Sequence, residues 1–167
     1  SQNETINGDN NANVLAGGEG VDTINGNGGN DTLYGRGAGN YNDSANNILN
    51  GGAGNDILIA GNGADTLDGG TGADTITTGS GNDTIVLRVG DGGSTLADAD
   101  TISDFTDGSD KLGMDDNLQY SQLTIDQGTG SNSSDTIIKV GTEYLAILTG
   151  IDVSVLSEAD FTPVDIA

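Results

Sequence analysis

The chain has 167 residues, with 26 acidic against 4 basic side chains, a net charge of −22, and neither Cys nor His. Such an excess disfavours nucleic acid, whose phosphates need Lys and Arg, and anionic membrane surfaces. Without His or Cys there is no Ser-His or Cys-His nucleophile and no His-zinc site. No apolar run of about 18 residues occurs, so no transmembrane helix is expected. No charged segment followed by an apolar one opens the chain, so no secretory signal peptide is expected, and Ser1 in place of Met suggests a fragment or processed chain. Leu, Ile, Val and Phe supply 15 of the first 86 residues but 22 of the last 81. The first part falls below the roughly 20% that marks disorder in highly charged chains. Its 20 glycines raise the cost of ordering further. A hard divalent cation would supply free energy and cancel charge together.

In chain order, the sequence is a nine-residue period. Glu4-Thr5-Ile6-Asn7 is the tail of a first unit. Residues 8–16 form a degenerate unit, and 17–25 and 26–34 two well-formed ones. A seven-residue insertion is placed at 35–41, and a weak unit at 42–50. Four units then follow without a gap over 51–86: GGAGNDILI, AGNGADTLD, GGTGADTIT and TGSGNDTIV. The sixth place is Asp22, Asp31, Asp56, Asp65, Asp74 or Asp83, with Asn13 and Asn47 as substitutes. The eighth place is Leu or Ile. Ala60 and Thr78 depart from glycine at the first place.

Places one to six are expected to be a glycine-rich turn and places seven to nine a short strand. Period-two alternation turns Ile6, Leu15, Ile24, Leu33, Leu49, Leu58, Leu67, Ile76 and Ile85 inward. Two units per coil give two facing parallel sheets, an all-β parallel β-roll over 1–89. Leu87-Arg88-Val89 should lengthen the last strand, and Asp100-Thr101-Ile102 repeats the unit after a long turn. Residues 104–111 read either as a further metal site or as a turn in which Lys111 offsets its acidic neighbours. Apolar runs at 123–125, 136–140 and 144–148, the last two joined by a hairpin at 141–143, build a β-rich cap over 90–167. The cap is closed by Leu156, Phe161 and Val164.

Calcium takes 6–8 oxygen ligands, mixing carboxylates with backbone carbonyls. Alternate turns stack on one edge of a two-unit coil, so an ion can lie between two sixth-place acids. The pairs expected are Asp31–Asp56, Asp56–Asp74, Asp65–Asp83 and Asp74–Asp100. Weaker pairs are Glu4–Asp22, Asn13–Asp31, Asp22–Asn47 and Asn47–Asp65, because Asn keeps an oxygen but loses the charge. Carbonyls are expected from Gly17, Gly20, Gly26, Gly51, Gly54, Gly63, Gly69, Gly72 and Gly81. Roughly four to eight Ca2+ ions would result. Asp9, Asp43 and Asp68, off the sixth place, read as turn residues. Carboxylate pairs of the glycosidase kind are set aside, since these acids stand at metal spacing.

The repeats resemble the RTX, or haemolysin-type calcium-binding, family. The matching C-terminal segments are 100–105, 108–112 and 145–150. The resemblance implies a Gram-negative or cyanobacterial protein, secreted or at the cell surface. It implies export in the unfolded state by a type I secretion apparatus, through an uncleaved C-terminal signal that includes 160–167. The chain then reads as a non-enzymatic, calcium-folded C-terminal secretion and folding module of a larger protein, with an adhesin among the candidates. Alternatives are a non-catalytic polysaccharide- or ice-binding module, with the outward Thr5/Asn7 and Thr23/Asn25 ladder and the rings of Tyr34 and Tyr41 as contacts, or the C-terminal module of a secreted protease, lipase or alginate epimerase.

Overall fold

The computed structural model describes residues 2–37 and 44–166. Nine strands cover the repeats: Thr5–Asn7 (β1), Val14–Ala16 (β2), Thr23–Gly28 (β3), Thr32–Tyr34 (β4), Ile48–Ala53 (β5), Ile57–Asn62 (β6), Thr66–Thr71 (β7), Thr75–Ser80 (β8) and Thr84–Leu87 (β9). Thr and aliphatic residues at places seven to nine suit a half-buried pleated surface. Each turn carries the chain across to the other sheet. Odd-numbered strands therefore stack in one sheet and even-numbered strands in the other. All these pairings are parallel and run place for place, with Leu49 beside Ile24 and Leu67, and Leu58 beside Leu33 and Ile76. The fold is a parallel β-roll with two units per coil, as the spacing predicts. Ile24, Leu33, Leu49, Leu58, Leu67, Ile76 and Ile85 are fully buried between the sheets. Ile6 and Leu15 in the first coil are only partly covered.

Three details differ from the sequence reading. First, β3, β5, β6, β7 and β8 each have six residues and continue through places one to three of the next unit. The turn is thus confined to places four to six. A place-two glycine with positive φ, such as Gly52 at 107°, bends the strand without breaking its pairing to Gly70. Second, Gly35 N donates to Ile59 O and Gly37 N to Gly18 O. Residues 35–37 therefore hold the first three places of their unit, and the extra length begins after Gly37. The rest of the expected insertion, with Tyr41, and Asp43 beyond it lie outside the described residues. Third, β9 ends at Leu87, because Arg88 turns away into an ion-pair cluster.

The parallel ladders run past residue 90. Asp100–Ile102 (β10) stacks on β8, and Lys111–Met114 (β11) on β9. Leu123–Gln127 (β12), Thr136–Val140 (β13) and Glu143–Leu148 (β14) are the three expected apolar runs. β14 pairs in parallel with β10 and antiparallel with β13, which is antiparallel to β12. The β13–β14 turn uses Gly141 at φ 58°. Phe161–Pro163 (β15) pairs with β11 and closes the other sheet. Leu112, Ile138, Leu145, Leu148 and Phe161 are buried and extend the aliphatic core into this end. No α-helix occurs among the described residues, and no helix is long and apolar enough to cross a membrane.

Candidate metal centres

The turns stack into two ladders, one along each edge of the roll. On one edge the sixth places run Glu4, Asp22, Asn47, Asp65, Asp83. On the other they run Asn13, Asp31, Asp56, Asp74, Asp100. After the first of each ladder, every sixth-place side chain accepts, through Oδ1, the backbone N–H of the sixth-place residue one coil earlier. On the first edge the distances are 2.9 Å for Glu4 N to Asp22, 2.9 Å for Asp22 N to Asn47, 2.6 Å for Asn47 N to Asp65 and 2.8 Å for Asp65 N to Asp83. On the second they are 2.7 Å for Asn13 N to Asp31, for Asp31 N to Asp56 and for Asp56 N to Asp74, and 3.0 Å for Asp74 N to Asp100. All eight stacked pairs read from the sequence are therefore neighbours, including the two that span the insertion.

The second oxygen behaves differently. Oδ2 of Asp22, Asp31, Asp56, Asp65, Asp74 and Asp83 is buried without a hydrogen-bond partner. These residues are at most 1% exposed. A buried carboxylate oxygen with no partner is costly, and burial shifts proton affinity accordingly. Desolvation raises the pKa of Asp56, brings Asp83 to about 6, and brings Asp74 to about 7. Asp100, desolvated and facing the Asp74 carboxylate, reaches about 9.

The first-place glycines keep space beside these oxygens. A Cβ added at Gly17, Gly26, Gly51 or Gly69 would overlap Oδ2 of Asp22, Asp31, Asp56 or Asp74 respectively. At Gly17, Gly26 and Gly51 the carbonyl oxygen of the first-place glycine one coil later (Gly35, Gly51 and Gly69) reaches the same space. Each such position therefore offers a carboxylate oxygen, a carbonyl oxygen and a gap. That donor set fits a hard cation such as calcium. Among the described residues no three carboxylates converge on one point, so further ligands would come from the backbone. The fourth-place glycines do a separate job. Gly20, Gly54, Gly63, Gly72 and Gly81 have positive φ, and a Cβ there would run into backbone of the preceding coil.

The two edges are not equivalent. The second has glycine at every first place (8, 26, 51, 69), whereas the first has Ala60 before Asp65 and Thr78 before Asp83. Asn13 and Asn47 also differ. Asn13 Oδ1 lies beside Gly8 and accepts from Asp9 N at 2.8 Å. Asn47 instead accepts Asp22 N through Oδ1 and turns Nδ2 toward Gly35, where its neighbours present an oxygen.

The 104–111 segment holds the expected turn, in which Ser109 N and Asp110 N donate to Thr106 O, but Lys111 does not offset its acids. Asp110 takes the next sixth place, accepting Asp83 N at 3.1 Å through Oδ1 and Thr106 N at 2.8 Å through Oδ2. Asp104 accepts the N–H groups of Thr78 and Gly79 at 2.9 and 2.8 Å. Both acids are filled by backbone donors, and Lys111 reaches Ala159 O and Asp160 instead. Asp68 is not a turn residue. It forms a bidentate pair with Arg88 at 3.0 and 2.7 Å, and Arg88 also reaches Asp115 at 3.1 Å. Asp9 does accept from Asn11 N in its own turn. The sequence reading also missed a fifth-place ladder of opposite sense. Oδ1 of Asn3, Asn30, Asn46 and Asn55 accepts from the N–H of Val21, Asn55, Ala64 and Ala73 one coil later. Asn at the fifth place was its only sequence signal.

Comparison with known proteins completes the description. The family model for the RTX calcium-binding nonapeptide repeat, in four copies, matches residues 2–40, 41–76 and 59–93. A search of curated protein sequences finds no relative of significant similarity. Among solved structures, the chain is similar to the AlgE6R2 subunit of the mannuronan C5-epimerase of Azotobacter vinelandii, at 24% identity and a TM-score of 0.53, covering 93% of this chain and 90% of that one. The AlgE6R3 subunit of the same enzyme matches at 26% identity and a TM-score of 0.38, over 92% and 80% of the two chains. The extracellular lipase LipA of Serratia marcescens matches at 15% identity and a TM-score of 0.42, over 97% of this chain but only 40% of the lipase.

Proposed function

Because the chain belongs to the RTX calcium-binding nonapeptide repeat family, we propose that it is a calcium-gated folding module of a larger secreted bacterial protein. The observation that carries this reading is the set of six buried Oδ2 atoms that lack a partner while their Oδ1 atoms stitch the coils. Removing calcium leaves those charges buried and unmatched, and the thin core cannot compensate. In a low-calcium cytosol the chain is unfolded, a form suited to export through a type I secretion apparatus. Outside the cell, ions supply positive charge at the turns, and their binding free energy becomes folding free energy. The proposed ligands are Asp22, Asp31, Asp56, Asp65, Asp74, Asp83 and Asp100, with carbonyls of the glycine turns. Asn13 and Asn47 mark the weakest positions. Roughly four to eight ions are expected.

Circular dichroism in chelator and in millimolar calcium tests the reading, with calorimetry giving the stoichiometry. A strand spectrum that is the same in both conditions would overturn it. The module itself is proposed to be non-catalytic, with an adhesin or a secreted hydrolase or epimerase as the class of parent protein. The residues preceding this segment in the parent decide between them.

One observation favours a second role. Asn25 Nδ2 donates to Asn7 Oδ1, and Asn50 Nδ2 to Asn25 Oδ1, both at 2.7 Å. This ordered amide row on an outer face is the surface on which a polysaccharide or ice would be bound. Alginate-binding and ice-recrystallisation assays in calcium, with Asn25→Leu as the comparison, test it.

A further inference from the structure

Asn stands directly before Gly five times in the chain, at 7, 25, 27, 50 and 62, always within the repeats. In an unfolded chain Asn-Gly is the dipeptide most open to deamidation, because glycine puts no side chain in the way of its own amide nitrogen. That nitrogen attacks Cγ of Asn, the side-chain nitrogen leaves as ammonia with the amide proton, and a succinimide forms. Water then opens the ring at either carbonyl, giving aspartate or isoaspartate.

Two of the five pairs follow from separate requirements of the sheet. Asn25 and Asn50 hold the ninth place, where each Nδ2 donates at 2.7 Å along the outer amide row, to Asn7 and to Asn25. Gly26 and Gly51 hold the first place, where a Cβ would overlap Oδ2 of Asp31 and Asp56. A bulkier neighbour that would slow ring closure therefore has no room. The row asks for Asn, the carboxylate asks for Gly, and the labile pair results.

The folded roll blocks this reaction. Asn25 and Gly26 lie inside β3, and Asn50 and Gly51 inside β5. A strand holds its side chains roughly perpendicular to the sheet, while the following N–H lies in the sheet toward its neighbour. Gly8 N, at the same place as Gly26 and Gly51, donates to Asn25 O at 2.8 Å. The register brings Asn50 and Asp68 to the corresponding positions one coil on. The attacking nitrogen is thus committed to a carbonyl, and the amide row holds Cγ away from it. Asn62 shares part of this arrangement, with Gly63 N on Ser80 O at 2.9 Å.

We propose that Asn25 and Asn50 are deamidation sites, open in the calcium-free chain and closed by folding, so that time spent without calcium is recorded as a covalent change. The change is one-way. At Asn50 the new carboxylate stands beside Asp68 and no longer donates to Asn25. Neighbouring like charges on one sheet face are destabilising. Isoaspartate adds a methylene to the backbone and puts the rest of the strand out of register. This gating rests on the calcium-driven folding proposed for the chain.

The test holds the full chain at pH 8 for days, in chelator and in saturating calcium. Peptide mapping by mass spectrometry reads aspartate and isoaspartate at each Asn, and circular dichroism reports folding separately. Deamidation of Asn25 and Asn50 should be at least about tenfold slower in calcium. A chain aged in chelator and returned to calcium should regain less strand signal the more isoaspartate it carries. Equal rates in two conditions whose spectra differ overturn the gating alone. Spectra that are the same in both conditions overturn the folding reading and the gating with it. Full recovery of a chain carrying isoaspartate at both positions overturns the one-way change.

Discussion

Replacing Gly51 by Ala isolates the gap beside the carboxylate. Gly51 is not at positive φ, so Ala carries no backbone strain there, and the whole effect is steric. An added Cβ would stand 2.5 Å from Gly69 O and 3.1 Å from Asp56 Cβ, and closer still to Asp56 Oδ2. Contacts of that kind force local shifts worth about 1–3 kcal/mol. For a chain of this size the melting temperature in saturating calcium should fall by roughly 2–12 °C. Calorimetry should also count one ion fewer, because the shift displaces the oxygen meant for the cation. Gly141→Ala is the comparison. Its φ of 58° makes Ala strained, but nothing lies within 4 Å of the added carbon. It should lower stability by about 1 kcal/mol with the ion count unchanged. Equal stoichiometry and equal melting for G51A and the parent chain would refute the assignment of this gap to a cation.

Asn47→Asp puts an oxygen where Nδ2 now faces Gly35, and should add one calcium ion by calorimetry. An unchanged count would show that Gly35 is not part of a cation position. Arg88→Met leaves Asp68 and Asp115 without their shared cation, and should cost about 3 kcal/mol in denaturant unfolding, since breaking such a pair strands the remaining charges. An effect under about 0.5 kcal/mol would show the pair to be solvent-screened. The pH dependence without calcium has a defined sign. Asp83, Asp74 and Asp100 have folded pKa values of about 6, 7 and 9, above the roughly 3.9 of an unfolded Asp. Their contribution to stability is fully present below about pH 4 and is lost as the pH rises through those values. Acidifying the chelated chain should therefore recover strand signal by circular dichroism, and more signal at pH 8 than at pH 4.5 would contradict it.

Periodicity made most of the roll legible. The phase of Asp56, Asp65, Asp74 and Asp83 identified the stacked pairs, and counting in units of nine carried the pairing across the insertion to Asp31 and Asp22. Features that depend on what an atom meets after stacking were not legible. Asn is a common turn residue, so Asn3, Asn30, Asn46 and Asn55 did not stand out as a ladder. Asp110 lies 27 residues after Asp83, three units of nine where a regular coil takes two, so the 18-residue coil spacing did not mark it as the next partner. The Arg88 cluster draws on Asp68 and Asp115, 20 and 27 residues away, and nothing local marks them as partners. The first-place glycine looked like turn chemistry, yet Gly26 and Gly51 are strand residues. They are glycine because a carboxylate needs the room.

The division of labour between the two carboxylate oxygens explains why one residue type serves both halves of the chain. In the roll, Oδ1 accepts an N–H of the preceding coil while Oδ2 has no hydrogen-bond partner, so on the proposed function stacking and ion binding would be coupled through a single side chain. At the C-terminal end the same residue is satisfied differently. Asp110 receives N–H groups on both oxygens, and Asp104 receives Thr78 and Gly79. Those acids have backbone N–H partners where the roll's Oδ2 atoms have none. The region that closes the ladders is therefore held by hydrogen bonds and by its larger apolar side chains, including Phe161 against Tyr120 at 5.0 Å. Because each sixth-place N–H is met only by the coil that follows it, the last turns of the roll at Asp74 and Asp83 depend on Asp100 and Asp110. The roll thus rests on an end where Asp110 and Asp104 already have backbone N–H partners, and on the proposed function the coils at Asn47 and Asn13 should loosen first as calcium falls.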